Sequence, residues 1–169
     1  NAIAVTVYSN LGLIETFQEA GGRVVITDNG DRKVLAAMRE KGLVLGGEQS
    51  GHVIFLEHNS TGDGILTSLQ LMTALLQAEQ PLSVLKKRIR KFPQVLENVR
   101  VGEKEGWEEN KRIQEVIAKY KQLLGTGGRI FVRASGTEPL IRVMVEGPDG
   151  ELLRMISKEI ARVIAEELR

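Results

Sequence analysis

Residues 2–45, AIAVTVYSNLGLIETFQEAGGRVVITDNGDRKVLAAMREKGLVL, alternate short β-branched runs with stretches of helical periodicity. Ala2–Val7 reads as a strand and Leu11–Ala20 as a helix, which Gly21-Gly22 stops before the strand Arg23–Thr27. A second helix runs from about Asp31 to Lys41 and ends at Gly42. Strands and helices in this alternation form βα units around a mainly parallel sheet, so the expected fold is a three-layer α/β/α unit. Beyond it, the short strand Leu43–Leu45, the glycine-rich loop Gly46–Gly51 and the apolar strand His52–Leu56 place a flexible loop between two strands.

Asp63-Gly64 opens a long helix in which Ile65, Leu66, Leu69, Met72, Leu75 and Leu76 recur at spacings of three and four, a stripe expected to lie in the core. Pro81 breaks that pattern, and the basic run Lys86–Lys91 leads into Phe92-Pro93. The boundary therefore falls between about Gln80 and Phe92, giving a first domain over 1–82, a linker over 83–92 and a second domain over 93–169. The second domain reads strand (Val95–Val101), helix (Trp107–Leu124), strand (Arg129–Arg133), turn, strand (Leu140–Glu146) and terminal helix (Asp149–Arg169). Each of its helices has one apolar face, as expected for a small α+β unit with two helices on one face of an antiparallel sheet.

Composition narrows the function classes. With 23 Lys and Arg against 22 Asp and Glu among 169 residues, no global charge excess marks a nucleic acid or an anionic membrane as partner, so any anion site is local. The basic run at 86–91 lacks interleaved aromatic platforms and reads as a solvated face. Absence of cysteine excludes disulfides, thiolate metal sites and a cysteine nucleophile, which fits a cytoplasmic setting. No apolar run reaches the length of a membrane span. The chain enters a strand directly after Asn1, which reads as part of a longer protein.

Two loops could carry chemistry. Gly46–His52 packs a carboxylate (Glu48), an amide (Gln49), a hydroxyl (Ser50) and an imidazole (His52) among three glycines, a set suited to a polyol, or else a tight turn with polar residues outside. Arg133-Ala134-Ser135-Gly136-Thr137-Glu138-Pro139, with Arg142 behind it, is the stronger signal. Gly136 could turn successive backbone N–H groups toward one point, Ser135 and Thr137 add hydroxyls, and Arg133 and Arg142 match a phosphate bidentately. The alternatives are a plain hairpin turn or a helix cap formed by Ser135 and Glu138, the latter disfavoured by Pro139 and the β-branched run after it. Asp28-Asn29-Gly30-Asp31-Arg32 superficially suggests magnesium, but two carboxylates are too few; Asp31 reads better as the first acid of the next helix, with Arg32 free to touch substrate.

At these loops the chain resembles the α-D-phosphohexomutase superfamily, over essentially its whole length, and within it the phosphoglucosamine mutases. Members have four domains. The resemblance assigns GGEQSGH to a sugar-binding third domain and RASGTEP to a phosphate-binding, TATA-box-binding-protein-like fourth domain. Gln49, the run Ser9–Leu13 and Gly30-Asp31-Arg32 favour the glucosamine branch over the phosphomannomutase/phosphoglucomutase branch. What the resemblance implies is interconversion of glucosamine 6-phosphate and glucosamine 1-phosphate through a glucose or glucosamine 1,6-bisphosphate. The family's phosphoserine and magnesium belong to an N-terminal half of the same enzyme, and neither its serine loop nor its three-aspartate loop is found here. Catalytic and metal-ligating residues are accordingly expected to be absent, and the chain alone inactive.

By the same resemblance, Glu48, Ser50, His52, Gly30, Asp31 and Arg32 bind the sugar, with Glu48 and Ser50 on hydroxyls that exchange places when the bisphosphate turns over. Arg133, Ser135, Gly136, Thr137 and Arg142 hold whichever phosphate is not reacting. A non-catalytic phosphosugar-binding module and an interaction domain using the basic run are the competing readings.

Overall fold

A computed structural model describes all residues, 1–169, in two compact units, Asn1–Lys91 and Phe92–Arg169. In the first, β1 (Ala2–Thr6) pairs in parallel with β2 (Arg23–Thr27) and with β3 (Leu45–Gly47), while β3 pairs antiparallel with β4 (Val53–Phe55). The strand order is β2-β1-β3-β4. Helix α1 (Leu11–Glu19) is capped by the Asn10 side chain, which accepts from the Gly12 amide. Helix α2 (Asp31–Lys41) follows β2 and packs Val34 and Met38 on Ala4 and Ile54. Ile14 of α1 packs instead with Ile3 and Val5. Successive residues of β1 thus face opposite helices, as the period of two requires, and the sheet is covered on both sides: a three-layer α/β/α unit.

The sequence placed the strand before the glycine loop at Leu43–Leu45. It forms two residues later, so that Gly46 and Gly47 lie within β3 and pair with Ile54 and Val53. A larger correction concerns α3 (Gly64–Ala78), capped by Asp63. Its apolar stripe does not enter the core. None of its residues is buried, and Ile65 and Leu76 are each 78% exposed. Within this unit α3 packs against β4, a strand of three residues too short to cover fifteen. The segment expected to be a plain linker carries a short helix, α4 (Leu82–Leu85), and a 3-10 turn over Lys86–Arg88, and it groups with the first unit.

The second unit is an antiparallel sheet in the order β5-β7-β6, from β5 (Gln94–Arg100), β6 (Arg129–Ala134) and β7 (Leu140–Glu146). Helices α5 (Lys111–Leu124) and α6 (Gly150–Glu167) lie on one of its faces. Val99, Ile141, Val143 and Val145 meet Ile113 and Ile117 of α5 and Leu153, Ile156 and Ile160 of α6 in one continuous core. Each of the wholly buried side chains contributes roughly 1.5–3 kcal/mol by leaving water. Helix α5 starts at Asn110, whose side chain accepts from Ile113, and not at Trp107; residues 107–109 form a turn. Because α5 and α6 cover the face of Ile141 and Val143, alternation turns Leu140, Arg142 and Met144 to the other face. That second face carries the candidate chemistry of this unit.

Candidate functional site

In the first unit, the residues expected to read a sugar form one hydrogen-bonded group. The Glu48 carboxylate accepts from the Gly30 amide through Oε1 at 2.8 Å and from the Ser50 hydroxyl through Oε2 at 3.2 Å. Ser50 Oγ lies 3.3 Å from His52 Nδ1. The loop is closed by its own backbone, with Glu48 N donating to His52 O at 2.9 Å and Gly51 N to Glu48 O at 3.1 Å. Gly30, φ 126°, has a backbone conformation that L side chains rarely adopt, and its amide reaches a carboxylate eighteen residues away in sequence. Gly30 thereby ties the start of α2 to the sugar-type loop. Asp31 and Arg32 follow it as exposed first-turn residues, Asp31 Oδ1 accepting from the Arg32 amide. Ser50 and His52 are exposed and Glu48 half-buried, so acceptor and donor groups sit together at the surface.

In the second unit, β6 and β7 bring Arg133 and Arg142 directly opposite each other across the ladder. Two like charges in a cross-strand pair repel, and an anion lying between them would relieve that repulsion. Arg142 Nη2 has a long contact of 3.5 Å to Glu138 Oε2, and its buried Nε has no hydrogen-bond partner. Leaving such a group unmatched costs about 1–3 kcal/mol, a cost that an acceptor arriving with a ligand would remove.

Residues 135–139 bridge these strands. Ser135 is 3% exposed, and its hydroxyl accepts from the Glu138 amide at 3.3 Å, so it holds the turn from inside. Gly136 does not have a positive φ. A Cβ on Gly136 would meet no heavy atom within 4 Å; neither backbone conformation nor the unit's own packing demands glycine. Gly136 and Thr137 are exposed, with Arg133 and Arg142 half-buried beside them.

One residue of this loop's support carries no local signal in the sequence. Lys104 Nζ donates to the Ser135 carbonyl at 2.7 Å and to the Glu138 carbonyl at 3.4 Å. It reaches the loop because β5 continues its pairing past Arg100, Val101 N donating to Pro139 O at 3.1 Å. Only the β5–β7 register reveals that neighbour. Replacing Lys104 by methionine is expected to accelerate amide exchange at Gly136–Glu138 at least tenfold, the consequence of losing one charge-assisted bond, while Lys104→Arg keeps most of the protection. Unchanged exchange in the methionine variant would show that the lysine does not hold the loop.

No group of three or more His, Asp or Glu side chains is placed to hold a metal ion. Asp28 lies 2.6 Å from Lys33 Nζ, and Asp31 turns onto its own helix, so the Asp28–Asp31 pair does not fit a magnesium site.

The phosphoglucomutase/phosphomannomutase family models match both units: the alpha/beta/alpha domain III over residues 1–92 and the C-terminal domain over residues 96–163. The phosphoglucosamine mutase of Symbiobacterium thermophilum is 51% identical over 169 residues, covering 100% of this chain and 38% of its own length. That of Carboxydothermus hydrogenoformans is 51% identical over 164 residues, 97% of this chain and 37% of its own. The chain thus spans well under half of the curated relatives it matches. Among solved structures, the N-acetylphosphoglucosamine mutase of Aspergillus fumigatus superposes with a TM-score of 0.82 at 21% identity, over 98% of this chain and 38% of that one. The same fungal enzyme in complex with GlcNAc-6P and magnesium gives 0.78 at 19% identity, over 99% and 39%. At these identities the structural likeness establishes the fold.

Proposed function

The chain belongs to the phosphoglucomutase/phosphomannomutase family, and from that premise we propose that it is the sugar- and phosphate-holding part of a phosphoglucosamine mutase. The reaction served would be the interconversion of glucosamine 6-phosphate and glucosamine 1-phosphate through a 1,6-bisphosphate. In this reading Glu48, Ser50 and His52, with Gly30, Asp31 and Arg32 beside them, take the sugar hydroxyls. Arg133, Arg142 and the Ser135–Thr137 loop take a phosphate. The observation that carries the reading is the opposed pair Arg133 and Arg142 next to that loop, with a buried guanidinium N–H of Arg142 awaiting an acceptor. Ser135 would act mainly by shaping the turn, since its hydroxyl accepts from Glu138.

The division of labour follows from charge and geometry. A carboxylate accepts two hydroxyl protons, and Ser50 can donate or accept, so these two suit adjacent hydroxyls whichever way the sugar is turned. Guanidinium groups hold a phosphate dianion without regard to which carbon bears it. Binding energy from a phosphate that does not react can position the end that does. The phosphoserine and the magnesium of the reaction would come from parts of a longer protein, because the carboxylates present do not fit the metal. A chain of these residues alone is expected to show no mutase turnover, in a cytoplasmic enzyme acting on a soluble phosphosugar.

The test is a titration of isotope-labelled chain with inorganic phosphate, glucosamine, glucosamine 6-phosphate and mannose 6-phosphate. Inorganic phosphate is expected to shift the Gly136 and Thr137 amides, and Arg142→Gln to weaken that response by about tenfold or more, the worth of a charge-assisted hydrogen bond. Glu48→Ala is expected to abolish the response of Gly47 and Gly51 to glucosamine 6-phosphate and to leave the response of Gly136 to phosphate intact. Preference for mannose 6-phosphate would move the assignment to the phosphomannomutase branch. Phosphate binding that is indifferent to Arg142 would sink the reading altogether.

A further inference from the structure

The face of the second sheet turned away from α5 and α6 holds more positive charge than the phosphate loop accounts for. In the β5–β7 ladder Asn98 pairs with Arg142 and Arg100 with Leu140, so Arg100 is the diagonal neighbour of Arg142 on the same face. Long side chains reach across such a diagonal. Asn98, Arg100, Arg142 and Glu138, with Leu96 and Leu140, line one concave pocket of about 300 Å³. Arg133 stands on the far side of Arg142 in the same cross-sheet row.

Three guanidinium groups therefore gather on one sheet face within reach of a single loop. The carboxylate in the pocket, Glu138, makes only the 3.5 Å contact to Arg142, and Arg142 Nε stays buried and unmatched. Arg100 has no carboxylate partner; the ion pairs of this unit join other residues: Arg129 with Glu146, Arg112 with Glu166 and Glu167, and Arg162 with Glu159 and Glu166. The carboxylates of those pairs are therefore engaged with other arginines. Arg100 lacks such an acid and Arg142 has only the long contact to Glu138, so an anion entering this pocket would meet two guanidinium groups able to take it.

We propose that Arg100, with Asn98 beside it, is a phosphate ligand on a second wall of the Arg142 site, so that a phosphate monoester is gripped from β5 as well as from the 133–142 hairpin. The inference rests on the phosphate reading of the loop and adds to it a residue more than thirty positions away in sequence. The geometry suits a dianion: the guanidinium of Arg142 would be shared between the two walls, its buried Nε turned to one oxygen, with Arg100 on another. Asn98 can donate its amide N–H₂ without adding charge. Glu138 would leave Arg142 when the phosphate enters, because a dianion competes better for the guanidinium than a single carboxylate at 3.5 Å.

The experiment compares the affinity of the 169-residue chain for inorganic phosphate, read from the Gly136 and Thr137 amides, in wild type and in Arg100→Gln, Arg100→Lys, Arg142→Gln and Lys158→Gln. Arg100 and Lys158 are both exposed, so neither change should disturb the fold, and the remaining amide spectrum verifies this directly. Arg100→Gln is expected to weaken phosphate binding about tenfold, Arg100→Lys by less, and Lys158→Gln, which removes the same charge from α6, by no more than about twofold. If Arg100→Gln behaves like Lys158→Gln while Arg142→Gln loses binding, the second wall is refuted and the loop assignment stands. If neither Arg142→Gln nor Arg100→Gln alters the response, or the wild type gives none, the phosphate reading itself fails and this inference falls with it.

Discussion

Arg129→Ala is expected to destabilise the second unit by about 3–5 kcal/mol, enough to remove a large part of the stability of a domain this size. Glu146, the last residue of β7, is 0% exposed, and Arg129 is its direct cross-strand partner. The guanidinium approaches Glu146 Oε2 with Nε at 2.8 Å and Nη2 at 2.7 Å. Truncating the arginine takes two charge-assisted bonds from a buried carboxylate at the end of the central strand. Removing both partners is a different matter. Arg129→Met combined with Glu146→Leu keeps volume and leaves no charge to desolvate, so the double variant is expected to recover most of the loss. Denaturant unfolding monitored at Tyr120, buried in the same core, measures all three variants. A loss below about 1 kcal/mol in Arg129→Ala would mean that Glu146 is solvated or otherwise matched once the arginine goes.

The same residue pair shows where sequence reading reached its limit. Arg129 and Glu146 are seventeen positions apart and each sits at the edge of an apolar run, where a charged residue normally marks solvent. Their pairing follows from the β6–β7 register and from nothing local. By contrast, the order of strands and helices in both units could be read from periodicity, because alternation on β1 and the stripes of α5 and α6 match the faces they bury. The stripe of α3 has the same period and is exposed. Periodicity reports that a helix has an apolar side; what lies against that side is a separate fact, and within the first unit the strand that α3 packs against is the short β4.

At the candidate site, residue types were legible and their roles less so. Chemistry singles out Glu48 and Ser50 and the family resemblance singles out Gly30, but that Gly30 donates to Glu48 depends on β2 and β3 flanking β1, which carries the two loops to the same end of the sheet. Ser135, expected from its hydroxyl to help hold a phosphate, is buried in its own turn, where that hydroxyl accepts from the Glu138 amide. Lys104 and Arg100 lie outside every motif. They reach the loop through β5, whose partner in the sheet is β7, two strands later in sequence.

Gly12→Ala is expected to destabilise the first unit by at least about 2 kcal/mol, although helix propensity alone would make alanine better by roughly 1 kcal/mol. Gly12 sits in the first turn of α1, where its amide is held by Asn10. A Cβ there would lie 1.5 Å from the Arg90 carbonyl oxygen and 2.7 Å from its carbon. Those are backbone atoms, so no rotamer change relieves the overlap, and either the start of α1 or the segment before Phe92 must move. Gly64→Ala at the first residue of α3 is the matching control: a Cβ there meets nothing within 4 Å and φ is not positive, so propensity should act unopposed and the variant should be neutral or slightly stabilised. Thermal unfolding of the two variants would separate the effects by sign. If Gly12→Ala were as harmless as Gly64→Ala, the Arg90 carbonyl would not rest on α1 in solution, and the 86–91 segment would have to be regarded as free of the first unit. If the expected loss appears, the close approach of helix and carbonyl explains why the run Ser9–Leu13 carries a glycine inside a helix, a role in packing that owes nothing to the sugar site.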